Sequence, residues 1–259
     1  MRRGLYGKGR GENCEVSGKM NVILDIGNTL QKIAVFNNDN EVYSQSFPVV
    51  TKEILLSVFD QYVIKYSIIS SVAETDAQVI ELLKASTKMI HYTHQTKLPV
   101  TILYQNAASL GLDRIANAVG ATTLFPDRNV LSIQTGTCLV FDFVNENKEY
   151  LGGSISPGMK MRFEALHEKT KNLPFVKANE NSPNFLGTDT FGSLSSGVIH
   201  GICYEIDGFI EEYRAKFENV MVLLTGGDAI YFQKLIKNTT FAAPNVVLKG
   251  LNEIIKFNV

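Results

Sequence analysis

Apolar and polar positions along this chain keep two periods, two and 3.6, and the switches between them mark its elements. Residues 20–36 (MNVILDIGNTLQKIAVF) predict a buried strand, a polar turn and a returning strand. Val22, Ile23 and Leu24 fill the first strand, the chain breaks at Asp25-Ile26-Gly27-Asn28-Thr29, and alternation resumes weakly through Lys32-Ile33-Ala34-Val35-Phe36. Residues 41–47 predict a third strand, ended by Pro48. Ile54, Leu55, Val58 and Phe59 form a helical stripe over 52–61, a strand follows at 66–72, and a helix at 77–84 turns Val79, Ile80, Leu82 and Leu83 inward. Short strands at 89–92 and 100–104 precede a helix over 112–125, entered through Gly111 and closed by Pro126-Asp127.

The second half repeats the opening. Residues 129–144 again predict an apolar strand, a polar turn at Gln134-Thr135-Gly136-Thr137 and a returning strand. A third strand over 149–156 ends at Pro157-Gly158, and a helix over 160–167 follows. Residues 172–183 are polar, punctuated by proline and without a period, so they predict a loop. Residues 190–217 predict a long helix with a small-residue face at Ser193, Ser196, Gly197 and Gly201. A fully apolar strand over 220–225 ends in Gly226-Gly227-Asp228, then come a short helix at 230–236, a last strand near 245–247 and a closing helix over 250–255. A meander of three strands followed by alternating helices and strands, twice over, predicts an α/β fold with mixed sheets in two domains, 20–128 and 129–259. Two strand-turn-strand loops facing across a cleft would offer two sets of backbone donors to one polyphosphate, and the glycine pair would add a surface open to a flat nucleoside.

Composition narrows the chemistry. With 25 basic and 26 acidic residues in 259, the chain lacks the net charge of a nucleic-acid binder, and no apolar run is long enough for a membrane span. Cys14, Cys138 and Cys203 form no CxxC and no even-numbered framework, which suits the reducing cytoplasm. His91 and His94 lack metal-site spacing and predict structural or solvated roles. Residues 1–19 are rich in Gly, Arg and Lys with almost no apolar content, and they predict a disordered extension ahead of Met20.

Neither a Walker A pattern nor a strand-linked GxGxxG is present. Three polar stretches carry candidate chemistry instead, each with a plainer alternative. The turn Asp25–Thr29 is either an Asx-type hairpin bend or a phosphate cradle in which Gly27 admits close approach and Asp25 holds a cation. Asp113 and Arg114 open a helix after Gly111: either a capping acid with a solvated arginine, or a base for a hydroxyl and a fork for an anion. Asp189 or Thr190 caps the long helix, whose small face is either a helix contact or a dimer interface.

The motifs Asp25-x-Gly27-Asn28-Thr29, Gly111-x-Asp113-Arg114, Gly136-Thr137, Gly152-Gly153 with Pro157-Gly158, Gly187-Thr188-x-Thr190 with Ser196-Gly197, and Thr225-Gly226-Gly227-Asp228 occur in that order. Together they resemble the type III pantothenate kinases over residues 20–259. The resemblance implies two ribonuclease H-like domains in tandem, as in acetate kinase, sugar kinases and actin, with a nucleotide cleft between them. It implies ATP-dependent phosphorylation of the terminal hydroxyl of pantothenate by a cytoplasmic homodimer, with no nucleic-acid or membrane partner. The implied ATP contacts are Asp25, Ile26, Gly27, Asn28, Thr29, Leu30, Gln31, Lys32 and Thr137, with Mg2+ at Asp25 directly or through water. The implied pantothenate contacts are Tyr104, Gly111, Leu112, Asp113 and Arg114, with Asp113 as proton acceptor, and Thr190 from across the dimer. The family carries an Asp where Gln134 stands, and that Asp binds a monovalent cation, potassium or ammonium; Gln134 keeps an oxygen but no charge. The family also has a proline where Ala107 follows Asn106, which touches loop stiffness. Two alternatives stand beside this reading: a degenerate relative that binds nucleotide or pantothenate without turnover, and a sugar or acyl kinase of the same fold.

Overall fold

The computed structural model describes residues 20–27, 30–71, 74–177 and 183–259. The predicted extension 1–19, Asn28 and Thr29 of the first turn, Val72 at the end of a predicted strand, and 178–182 of the predicted loop lie outside these residues. The first half runs β1 (Met20–Ile26), β2 (Gln31–Asn37), β3 (Asn40–Phe47), α1 (Lys52–Phe59), β4 (Ile64–Ser71), α2 (Ala77–Ser86), β5 (Lys88–Ile90), β6 (Thr101–Ile102) and α3 (Leu112–Leu124). The second runs β7 (Val130–Thr135), β8 (Cys138–Val144), β9 (Glu149–Pro157), α4 (Met159–Glu168), α5 (Thr190–Lys216), β10 (Met221–Thr225), α6 (Ala229–Gln233), β11 (Phe241–Ala242) and α7 (Val246–Phe257).

Two mixed sheets result, ordered β3-β2-β1-β4-β5 and β11-β10-β7-β8-β9-β6. Each is built around an antiparallel hairpin, β1/β2 and β7/β8, with a parallel strand (β4, β10) on its far side. That shared plan is the repeat seen in the hydrophobic pattern. Because central strands are covered on both faces, their side chains divide by parity. Val22, Leu24 and Ile26 pack with Leu55 of α1 and Val79 and Leu83 of α2, while Ile23 packs on α3 and α7. In the second sheet Leu131 and Ile133 face α4, α5 and α6, and Val130 faces Ala121 of α3 and Val246 of α7. The layers are therefore α1/α2, sheet, α3/α7, sheet, α4/α5/α6.

The structure departs from the hydrophobic reading in two places. Residues 245–247 are not a strand: Asn245, at φ 63°, turns the chain, and Val246 starts α7. The β-branched pair Val246-Val247 favours a strand locally, but Leu248, Leu251 and Ile255 keep helical spacing and bury one face. The last strand is instead β11, paired in parallel with β10. Meanwhile β6, from the first half, pairs with β9 and closes the edge of the second sheet.

α3 and α7 sit very close. A Cβ on Gly250 would come 1.8 Å from the Ala116 carbonyl oxygen, and one on Gly120 would come 2.1 Å from that of Val246. Only glycine permits such helix contacts, and they hold α3 in the middle layer between the sheets.

Candidate active site

The cleft has a volume of about 490 Å³ and is lined by Asp25 and Lys32 of the first hairpin, Gln134 of the second, Thr225-Gly226-Gly227 after β10, and Ala243-Pro244-Asn245 before α7. Asp25 and Lys32 are direct cross-strand partners at the mouth of the first hairpin. Burial pushes the Asp25 carboxyl up to about 6; Lys32 pulls it down, and the charge of Asp113 adds to the rise. Asp25, from β1, and Asp113, from the first turn of α3, are thus electrostatic neighbours across 88 residues of sequence. Gly27 is needed where it stands: its N–H bonds to the Leu30 carbonyl at 3.2 Å, and a Cβ would approach that oxygen to 2.9 Å. Of the other first-loop candidates, Ile26 is buried in the core and offers the cleft only its backbone, and Leu30 is exposed. The Gln31 side chain accepts from the Val50 N–H at 2.6 Å. Lys32 Nζ reaches Asn245 Oδ1 at 3.4 Å, and Asn245 in turn donates to Glu41 and Ser44 of β3. Asn245 therefore ties the start of α7 to the first sheet at the cleft.

The second loop is bolted to the glycine pair. Thr135 Oγ1 donates to the Thr225 carbonyl at 3.0 Å, and the Asp228 N–H donates to that of Thr135 at 3.0 Å. Gly226, at φ 97°, lies where a Cβ would meet the Thr135 carbonyl oxygen at 2.4 Å. Beneath the loop, the Gly158 N–H bonds to the Thr137 carbonyl at 3.1 Å, and a Cβ on Gly158 would come 2.1 Å from the Gly136 oxygen. Thr137 is left exposed at the tip. The family-like glycines 158 and 226 thus share one task, the close approach of their backbones to the second loop.

On the α3 side, Gly111 precedes Leu112 at the helix start without a side-chain cap, and Asp113 Oδ1 lies 2.5 Å from the point a Gly111 Cβ would occupy. Tyr92 fixes this turn by donating to the Leu112 carbonyl at 2.8 Å, and burial together with the Asp113 charge pushes its phenol up. Arg114 is buried: Nε donates to Asp142 Oδ1 at 2.9 Å, and Nη2 lies 2.7 Å from the same oxygen but out of line for a hydrogen bond. Tyr150 donates to that oxygen at 2.7 Å, and Gln134 Nε2 donates to Asp142 Oδ2 at 3.3 Å. Burial pushes the fully enclosed Asp142 carboxyl up, opposed by the Arg114 charge and these donors. The Tyr104 ring stands 6.0 Å from that of Tyr150 and packs over Gly152, at φ 128°.

The structure therefore brings Asp25, Lys32 and Gln134 together, with Asp113, Arg114 and Tyr104 beside them through Asp25 and Asp142. It does not bring Thr190 to this cleft. Thr190 lines a separate groove of about 1030 Å³ between α4 and the start of α5, next to Met161, Arg162 and Gly197. Asp142, Tyr150, Tyr92 and Asn245 escaped the sequence reading. An acid inside the otherwise apolar CLVFDFV is the signal that marks Asp142, since a buried charge requires partners.

Comparison with known proteins follows the same lines. Residues 21–212 match the family model for type III pantothenate kinase. A Cytophaga hutchinsonii protein of that name is 41% identical over 241 residues, covering 93% of this chain and 100% of its own. One from Bacteroides fragilis is 38% identical over 240 residues, covering 92% of this chain and 98% of its own. Among solved structures, a conserved Baf family protein from Campylobacter jejuni superposes with TM-score 0.57 at 21% identity, covering 92% of this chain and 98% of its own. The ROK hexokinase of Thermus thermophilus gives TM-score 0.50 at 11% identity, covering 91% and 98%. At such identities these two share the fold alone, two ribonuclease H-like units in tandem.

Proposed function

The chain belongs to the type III pantothenate kinase family, and from that premise we propose that it transfers the γ-phosphoryl group of ATP to the terminal hydroxyl of pantothenate, the first step of coenzyme A synthesis. The observation that carries the site assignment is the cleft that brings Asp25 and Lys32 of the first hairpin to Gln134 of the second, whose amide reaches Arg114 at the start of α3 through Asp142.

In this reading the triphosphate lies between the two hairpin turns, with Lys32 and the backbone around Gly27, Gly136 and Thr137 toward its oxygens. The base and ribose rest against Gly226-Gly227 and Ala243-Pro244. Asp25, a carboxylate with a raised pKa and, among the described residues, no cluster of three potential ligands around it, fits a divalent cation held partly by the phosphates rather than an all-protein cage. Bound there, Mg2+ would neutralise negative charge on the phosphates. Asp113 accepts the proton of the pantothenate hydroxyl as its oxygen bonds to the γ-phosphorus and the bond to ADP breaks. Tyr104, Gly111 and Leu112 line the acceptor side, and Arg114, held by Asp142, keeps a buried N–H for it. Because the phosphoryl transition state is loose, positioning outweighs the strength of the base.

We take the lobes to divide near residue 129, with α7 crossing back to the first. We also take the enzyme to be a homodimer in the cytoplasm. The solvent-facing glycines 197, 201 and 208 of α5 have open space around them, and exposed Phe185, Leu186 and Phe191 flank the groove that holds Thr190. A second copy there would bring Thr190 to the acceptor side of its neighbour. A coupled ADP-release assay tests the activity: turnover that requires pantothenate supports it, and none with any cation present overturns it.

A further inference from the structure

The family resemblance calls for a monovalent cation beside residue 134, and the residues present do not fit one. Ser132 pairs with Asp142, and Gln134 with Val140, across β7 and β8. Gln134 and Asp142 are therefore diagonal neighbours on one face of a fixed two-strand ladder, within side-chain reach. Asp142 is wholly buried, and its Oδ1 is already crowded by Arg114 Nε at 2.9 Å and the Tyr150 hydroxyl at 2.7 Å. Its Oδ2 receives the amide of Gln134, which lines the cleft, at 3.3 Å. The orientation of that amide is fixed by chemistry, since its oxygen against the carboxylate would repel. The positive end of the amide dipole thus occupies the side of Asp142 where a cation would sit, and only the neutral Oε1 is left for the cleft.

The charge arithmetic agrees. An acid at 134 together with one bound monovalent cation sums to zero, and glutamine alone sums to zero. An acid without the cation would set two carboxylates face to face in a low-dielectric site, which is relieved only by a proton or a cation. We infer that the Gln134 amide stands in for the monovalent cation, so that this enzyme positions its second phosphate loop and Arg114 without one. This rests on the phosphoryl-transfer reading above for its activity arm only.

The test compares wild type with Gln134→Asp and the length-matched Gln134→Glu in tetramethylammonium buffer, with and without potassium or ammonium. Pantothenate-dependent ADP release by wild type changes less than about fivefold on adding either cation, whereas each acidic variant is slower and gains about tenfold or more, a factor worth about 1.4 kcal/mol. In parallel, potassium raises the melting midpoint of the acidic variants but not that of wild type, without nucleotide or pantothenate present. A wild type stimulated about fivefold or more, or one whose melting midpoint rises with potassium, overturns the inference. So do acidic variants indifferent to potassium in both measurements. Absence of turnover under every condition sinks the kinase reading instead, and the melting arm then decides the cation question alone.

Discussion

Asp25→Asn should make the ligand-free protein more stable while abolishing turnover. Burial holds the Asp25 carboxyl at about 6 against 3.8 for a free side chain. A folded acid with a raised pKa keeps its proton where the unfolded chain has lost it, so stability declines as pH climbs from 3.8 to about 6 and stays reduced above. Holding that carboxyl at about 6 rather than 3.8 corresponds to roughly 3 kcal/mol at pH 7.5, and about half of that at pH 5. For a chain of this size, about 2–4 °C per kcal/mol makes the expected rise in melting midpoint roughly 6 °C or more. Guanidinium melts of wild type and variant at pH 5 and pH 7.5 measure the gap, which should be wider at the higher pH. Adding Mg2+ and ATP should narrow it by stabilising wild type alone, since the variant has lost the carboxylate that the cation neutralises. A variant less stable than wild type at pH 7.5, or an equal gap at both pH values, would refute the reasoning. Lys32 would then compensate Asp25 fully in the folded state.

The other predictions concern the remaining walls of the cleft. Asp113→Asn should lower kcat by about 10²–10⁴ with nucleotide affinity little changed; wild-type turnover would end its role as base. Gly226→Ala, forced against the Thr135 oxygen at positive φ, should cost about 1–3 kcal/mol and raise KM for ATP more than KM for pantothenate, as steady-state kinetics and denaturant melts would register. Tyr150→Phe strips one donor from buried Asp142 and should destabilise by about 1–3 kcal/mol, with KM for pantothenate rising through Arg114; an unchanged melt would show that the carboxylate finds another donor. Thr190→Ala should reduce turnover while leaving the monomer's melt intact, and mixing it with an Asp113→Asn chain should restore part of the activity if the two residues act across copies.

Local pattern revealed the strands and helices because each central strand is apolar on one or both faces and each helix carries a stripe. It also revealed the paired hairpins, since their turns are polar interruptions of apolar runs. What it could not supply was distance. Arg114 and Asp142 are 28 residues apart, Asp25 and Asp113 farther, and nothing in either local sequence names its partner. Val246-Val247 shows the opposite failure, a local β preference overruled by the face that α7 buries against α3. The two residues of β6 are too few to carry a period, so their place in the second sheet depends on pairing with β9 alone. Gln134, by contrast, was legible as a departure from a motif, but its meaning came only with the buried carboxylate beside it.

The packing of α7 on the first sheet, beside its glycine-lined seam with α3, also sets an order of events in the cell. Ile23, Ala34 and Phe36, made first, are buried against Leu248, Leu251 and Ile255, made last, and Asn21 of β1 is bonded at 2.8 Å to Asn252 of α7. The first lobe therefore cannot complete its core while it emerges from the ribosome; it waits for nearly the whole chain. A nascent chain stalled before residue 246 would expose that apolar face, making it a client for chaperones and a target for proteases. Supplying residues 246–257 as a separate peptide is then a direct way to close it.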